Sequence, residues 1–241
     1  MKNYTIQKDN NEKIAVKNIY CIGRNYSEHA EELGNAQPKE PFFFQKSIPS
    51  LNTTQEICIP QHRNIDYEVE IVLLVGKDGV GTSLEDSLSF IDGYAIGIDL
   101  TDREYQNQLK SKKLPWLLSK SFLGSAVVSN FSAKPINEDF WLSLNGLKKQ
   151  QGNFAQMTFS YAEQIFFLSN KVPLMKGDII FTGTPAGVGA TQGKLLKDGD
   201  IITTSIKGIG SIKNKCVRIE DHANVGFLPE FLKGKIPTNN D

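Results

Sequence analysis

The chain is short of the features that mark several protein classes. Its 241 residues carry three cysteines, Cys21, Cys58 and Cys216, an odd number with wide spacing and no CxxC. That pattern fits buried free thiols in a reducing compartment better than a disulfide frame or a zinc site. Net charge is absent too: 27 Lys and Arg balance 27 Asp and Glu, leaving no basic field to hold nucleic acid or an anionic membrane. The longest apolar run lies near Ile71–Val75, far short of a membrane span, and MKNYTIQKDNNEK has no apolar signal-peptide stretch. A cytoplasmic location is the expectation. No Pro/Ser-rich linker divides the chain, so the reading is a single catalytic domain over 1–241 with a lead-in of about 17 residues.

What is present is a succession of short β-prone stretches. Residues 14–22, 42–44, 67–75, 91–99, 125–131, 140–144, 178–183, 200–206 and 211–219 read as strands, rich in β-branched and aromatic residues. Helices are expected at 26–33, stopped by Gly34, at 102–112, where Thr101 and Glu104 could form a capping box, and at 160–169. MKGDII (175–180) and LKDGDII (196–202) each place Gly and Asp at a bend before an apolar strand. The class is α+β, predominantly β, rather than a regular βαβ alternation.

Chemistry concentrates in a few acids. In HRNIDYEVEIVLLVG (62–76), Glu68 and Glu70 stand two apart, so a strand projects both to one face while Val69 and Ile71 turn to the other. Two readings follow: a solvent-facing strand with two acids, or a site for a cation. Asp99 ends the apolar stretch IDGYAIGID and could complete a hard-oxygen set suited to Mg²⁺, Mn²⁺ or Ca²⁺. Spacing alone does not close the 29 residues between Glu70 and Asp99. GTPAGVG (183–189) fails both GxxxxGK[ST] and GxGxxG, and reads instead as a backbone loop around a small anionic substrate, with Thr184 donating a hydrogen bond. Lys110, Lys112 and Lys113 read as a solvated helix end.

Six ordered blocks, GRNYSEHAEEL (23–33), EPFFFQKS (40–47), DYEVEIVLLVGK (66–77), GYAIGIDLTDREYQ (93–106), LPWLLSKSF (114–122) and FTGTPAGVG (181–189), closely resemble the fumarylacetoacetate hydrolase family. The likeness is to its shorter branch of acylpyruvate hydrolases, oxaloacetate decarboxylases or tautomerases, and hydroxyheptadienedioate isomerases. It implies a family-specific β-roll with short helices, a homodimer, and a Mg²⁺ or Mn²⁺ ion. The family's metal ligands fall on Glu68, Glu70 and Asp99, its lysine on Lys120 and its His–Glu pair on His29 and Glu32. Substrate contacts fall on Arg103, Gln106 and Thr184. Many relatives have Lys-Pro where this chain has Lys46-Ser47, and Lys46 is left out of the candidate set.

The implied chemistry is divalent-ion stabilisation of an enolate from a small α-keto or dioxo acid. Hydrolysis of an acylpyruvate or fumarylpyruvate to pyruvate and a carboxylate is the first expectation. Oxaloacetate decarboxylation or tautomerisation, or isomerisation of 2-hydroxyhepta-2,4-diene-1,7-dioate, is the alternative on the same residues. A metal- or keto-acid-binding protein without turnover is the different class.

Overall fold

The computed structural model describes residues 4–207 and 210–219. The first elements are a hairpin of β1 (Thr5–Gln7) and β2 (Lys13–Ala15), then β3 (Ile19–Ile22), α1 (Ser27–Glu32) and β4 (Phe43–Lys46). Four strands follow: β5 (Leu51–Asn52), β6 (Glu56–Pro60), β7 (Ile65–Asp66) and β8 (Val69–Val75). Next come α2 (Leu84–Leu88), β9 (Ile91–Asp99), β10 (Thr101–Asp102), α3 (Arg103–Ser111) and α4 (Leu117–Lys120). Then β11 (Ala126–Val128), β12 (Phe140–Leu144) and β13 (Leu147–Gly152) lead to α5 (Tyr161–Ser169) and β14 (Ile179–Phe181). The described chain closes with β15 (Ile201–Ile206) and β16 (Gly210–Ile219).

Seven strands pair in the order β4-β3-β14-β8-β9-β11-β5, and five in the order β13-β12-β15-β16-β6. The larger sheet is apolar on both faces because its central strand, VEIVLLV, is buried along its whole length. Val69, Ile71, Leu73 and Val75 face a core shared with Phe140, Leu142 and Ile202 of the smaller sheet and with Tyr161 and Ile165 of α5. Val72 and Leu74 face a second core with Ala95, Phe181 and the Ile6 and Ile14 side chains of the β1–β2 hairpin. Each such side chain contributes about 1.5–3 kcal/mol on full burial. The result is the expected curled, β-dominated α+β roll with few short helices.

Boundaries depart from the sequence reading where backbone partners change. The expected strand 14–22 breaks after Ala15, where Val16 N–H donates to Tyr4 O and Lys17 N–H to Gly177 O. The Phe42–Phe44 strand is displaced to Phe43–Lys46, and 125–131 shortens to Ala126–Val128. Helix α3 is capped by Asp102, whose side chain accepts from Tyr105 N–H, and not by Thr101 and Glu104. Thr101 is drawn to Lys120 and Glu104 to Asn64, so neither is available for a capping box.

Candidate active site

Antiparallel pairing of β8 with β9 closes the gap that spacing left open. Glu70 stands opposite Gly97, and Asp99 N–H donates to Glu68 O at 2.8 Å. By strand parity Glu68, Glu70, Gly97 and Asp99 share one face. Carboxylate oxygens of Glu68, Glu70 and Asp99 all lie within 4.8 Å of one another, and the three side chains are buried. The solvent-facing reading is therefore overturned: Glu68 is 6% and Glu70 2% exposed.

Such crowding is tolerable only with cations present. Lys120, at the end of α4, donates to Glu68 Oε2 (2.8 Å), Asp99 Oδ2 (2.7 Å) and Thr101 Oγ1 (2.6 Å), which commits all three of its N–H groups. The β7–β10 pairing sets Thr101 opposite Asp66 and starts α3 beside it. Arg103 consequently reaches Asp66 Oδ2 through Nε (2.9 Å), Glu68 Oε1 through Nη2 (2.5 Å) and Gln106 Oε1 through Nη1 (2.7 Å). Lys46 Nζ lies 2.7 Å from Asp99 Oδ1 and donates to the carbonyls of Leu100, Lys120 and Ser125.

Glu70 differs from its neighbours. Its Oε2 accepts from Gly183 N–H at 2.7 Å, and no ion pair reaches it among the described residues. Burial first, then the charges of Asp99 and Glu68, push its carboxyl well above the usual carboxylate range. Burial works upward on Glu68 as well, but Lys120 and Arg103 outweigh it and hold that carboxyl far below its ordinary value. Burial likewise disfavours charge on Lys120, yet Asp99 and Glu68 keep its ammonium above the ordinary lysine range. Four carboxyl groups, counting Asp66, thus face three cations, and Glu70 is the one left without a partner cation among the described residues. An all-oxygen donor set short of positive charge fits a hard divalent ion such as Mg²⁺ or Mn²⁺, with positions left for other ligands.

Helix α1 supplies the other wall. His29 Nδ1 lies 3.3 Å from Glu32 Oε2, the i,i+3 geometry that the sequence spacing implies. Glu32 also accepts from Gly187 N–H at 3.0 Å and from the Thr191 hydroxyl. Hydrogen bonds from these groups outweigh burial and hold its carboxyl below the usual range. Asn25, just ahead of α1, donates to Thr182 O (2.9 Å) and Phe159 O (3.0 Å), fixing the helix against the glycine loop. Gly183 has φ +94°, and a Cβ there would stand 2.7 Å from Asn25 Cβ. Only glycine lets that backbone turn its N–H to Glu70.

Glu68, Glu70, Lys120, His29, Arg103, Gln106 and Thr184 line one partly open cavity with a volume of about 30 Å³, room for a water molecule or two. The structure thus brings the sequence candidates together, with changes of detail. Thr184 does not offer its hydroxyl proton to the cavity. It donates to Val69 O (2.9 Å) and accepts from Gln150 Nε2 (2.8 Å). Gln106 has its carbonyl held by Arg103, which leaves its amide N–H groups for a ligand. Lys110 is not a solvated helix end: it lines the cavity beside Trp116, whereas Lys112 and Lys113 are exposed.

Sequence reasoning passed over Lys46, Asp66 and Gln150. Asp66 accepts from Gly189 N–H (2.7 Å) and Ala190 N–H (3.1 Å) besides Arg103, tying the glycine loop to the carboxylate cluster. Gln150 comes from LKKQQG, a stretch without strand signal, yet its Oε1 accepts from Val69 N–H at 2.9 Å. For Lys46 the signal was present: a lysine within the aromatic strand FFQK has no place on a buried sheet unless it is paired. Cys21, Cys58 and Cys216 are free thiols, and no helix among the described residues is long and apolar enough to cross a membrane.

Comparison with known proteins agrees with this geometry. The chain is 39% identical over 213 residues to the mitochondrial oxaloacetate tautomerase FAHD1 of Bos taurus, covering 85% of this chain and 93% of the relative. It is 38% identical over 201 residues to the mitochondrial oxaloacetate decarboxylase of Dictyostelium discoideum, covering 80% and 90%. Among solved structures, fumarylpyruvate hydrolase from Pseudomonas aeruginosa, in complex with Mn²⁺ and pyruvate, superposes with a TM-score of 0.84 at 30% identity over 91% of this chain and 97% of the other. Residues 18–217 match the family described as "Fumarylacetoacetate (FAA) hydrolase C-terminal". All nine candidate site residues fall in the ordered blocks that carry the resemblance, and the chain belongs to the fumarylacetoacetate hydrolase family.

Proposed function

We propose that this chain is a Mg²⁺- or Mn²⁺-dependent hydrolase that cleaves the C–C bond of a small 2,4-dioxo acid, an acylpyruvate or fumarylpyruvate, to pyruvate and a carboxylate. The observation that carries the reading is the His29–Glu32 pair set in the wall of the cavity that Glu68 and Glu70 floor. A divalent ion held by Glu68, Glu70 and Asp99 supplies Lewis-acid charge where a keto oxygen becomes negative. Glu32 holds the Nδ1 side of His29, so Nε2 keeps its lone pair and can take a proton from water. The water oxygen adds to the distal carbonyl and the C–C bond breaks toward the keto-acid fragment. That fragment's carbon receives a proton in return, and the carboxylic acid formed loses its own to solvent. Lys120 and Arg103 hold Glu68 and Asp99 in place throughout, and the Gln106 amide donates to the substrate.

The 38–39% identity to the oxaloacetate enzymes supports a second reading, keto–enol conversion or decarboxylation of oxaloacetate, with isomerisation of a related unsaturated diacid beside it. There the same base moves a proton on carbon, or carbon dioxide leaves without attacking water. A homodimer is the expectation from the family resemblance and a cytoplasmic location the expectation from the sequence, although the two relatives above carry mitochondrial names.

The test is pyruvate release with Mg²⁺ or Mn²⁺ from acetylpyruvate, fumarylpyruvate and oxaloacetate, with carbon dioxide followed in parallel. Pyruvate from a dioxo acid without carbon dioxide is the expected result. Pyruvate and carbon dioxide from oxaloacetate alone overturn it in favour of the second reading. Silence on all three, with enol conversion and isomerisation also absent, leaves a keto-acid-binding protein.

A further inference from the structure

The cations at the floor of the cavity are saturated, but two on its wall are not. Arg103, Lys120 and Lys46 each meet a carboxylate within 3 Å. Arg24 and Lys110 line the same cavity, and neither side chain forms an ion pair or a hydrogen bond among the described residues. Both are half-buried, so they stand on its solvent side, above the buried Glu68, Glu70 and Lys120.

Aromatic rings hold them there. Lys110 Nζ lies 5.2 Å from the ring centroid of Trp116, and Arg24 Cζ 5.7 Å from that of Phe42. Trp116 meets Phe42 and Phe44 edge-on, each at 5.7 Å between centroids, so one aromatic frame carries both cations. Phe42 presses so closely on Gly23 that a Cβ there would lie 2.1 Å from its ring. Arg24 itself sits at φ +56°, a left-handed backbone that costs an ordinary residue free energy and persists where its surroundings impose it. Burial, and then the charge of Arg103, push the Lys110 ammonium down to about 8, the direction for a cation that lacks a partner anion.

We propose that Arg24 and Lys110 bind a second carboxylate, at the end of the substrate away from the Glu68–Glu70–Asp99 triad, and so select dicarboxylate 2-oxo or 2,4-dioxo acids. The inference rests on the 2-oxo-acid reading of the site given above. An acid engaged by the buried floor directs its far end toward the solvent side of the cavity, where these half-buried cations stand. They are specificity-determining residues on this view, and the bond-breaking groups are elsewhere.

A matched pair of ligands tests it: 2-oxoglutarate and 2-oxopentanoate differ in the terminal carboxylate. Calorimetric titration of each into the full-length, Mn²⁺-loaded protein reads affinity without turnover. The wild type should bind the diacid more tightly by roughly ten- to a hundredfold. Lys110→Met and Arg24→Met should each erase most of that preference and leave 2-oxopentanoate and Mn²⁺ affinity within about twofold. Equal affinity for the two acids in the wild type, which requires no variant, overturns the proposal. So does a variant that weakens both acids alike. If neither acid binds the loaded protein, the 2-oxo-acid reading itself fails and this inference falls with it.

Discussion

The floor and the helical wall of the cavity are built on opposite principles. On the floor, Glu68, Glu70 and Asp99 extend from paired central strands, and Lys46, Lys120 and Arg103 tie Glu68 and Asp99 to the ends of three further elements. The wall is α1, six residues long, with Tyr26 at its N-cap and no side-chain cap. A helix so short has little stability of its own and depends on its contacts. Those contacts pass through Asn25 on one side and Glu32 on the other. Two of the carboxylates proposed to hold an ion are thus cross-linked by charge, whereas the proposed proton-transferring group rides on an element that a few hydrogen bonds keep in place. Loss of a charge that ties the floor together should therefore damage fold and function together, and loss of Glu70, which no cation among the described residues pairs, or of a wall residue should damage function alone.

The strongest test removes a floor cation. Lys120→Met leaves Glu68 and Asp99 buried with less positive charge, which should lower stability by about 3–5 kcal/mol in urea unfolding and abolish activity. Mn²⁺ should restore part of that stability, because it supplies the missing charge to the same carboxylates. Stability unaffected by the substitution would show that the floor is not held by charge.

Glu70→Gln separates ion binding from folding. Activity should fall to background and Mn²⁺ affinity by about a hundredfold or more, since one of three ligands is lost. The chelated protein, in contrast, should gain stability at neutral pH. The raised Glu70 carboxyl keeps its proton in the folded state at pH values where the unfolded chain, near pH 4.5, has released it. Folding then binds more protons than unfolding, so stability falls as pH rises from about 4.5 through the folded-state value. Melting of chelated wild type against pH should show that decline, and the Gln variant should lack it. An identical slope in both proteins would remove Glu70 as its source.

On the wall, His29→Ala should reduce hydrolysis by about 10²–10⁴-fold. Melting temperature and Mn²⁺ affinity should stay close to wild type, because the His29 side chain pairs with Glu32 and forms no hydrogen bond to the floor among the described residues. A large drop in Mn²⁺ affinity would mean that wall and floor are one cooperative unit.

The same contrast governs what could be read from the sequence. Alternation over 67–75 placed Val69 and Ile71 in a core and put Glu68 and Glu70 together, because strand parity is a local property. It did not reveal that the acid face is buried too, since that depends on β1 and β2 packing under Val72 and Leu74 from far along the chain. Asp99 required the β8–β9 register, and Asp66 required β7 to meet β10, neither of which spacing encodes. The ordered family blocks carried the candidate residues across those gaps. Lys110 cannot be told in the sequence from its exposed neighbours Lys112 and Lys113, because only the three-dimensional position of Trp116 sets it apart. Thr184 lines the cavity, but its proton direction depends on Val69 O, a backbone acceptor invisible to composition.

The smallest predicted effect concerns the latch between α1 and the glycine loop. Thr191→Val removes a hydroxyl that donates to Glu32 Oε1 and leaves the Gly187 N–H bonds intact. A hydrogen bond to a charged group is worth roughly 1.5–3 kcal/mol, but Thr191 is exposed and water can replace much of it. A reduction of only a few-fold in turnover is expected, with Mn²⁺ affinity unchanged. Because Glu32 also orients His29, the change should appear as faster amide exchange within Ser27–Glu32 and no change in the strands that carry the triad. Faster exchange in β8 or β9 would instead show that the glycine loop, through Gly183 and Glu70, transmits the loosening from wall to floor.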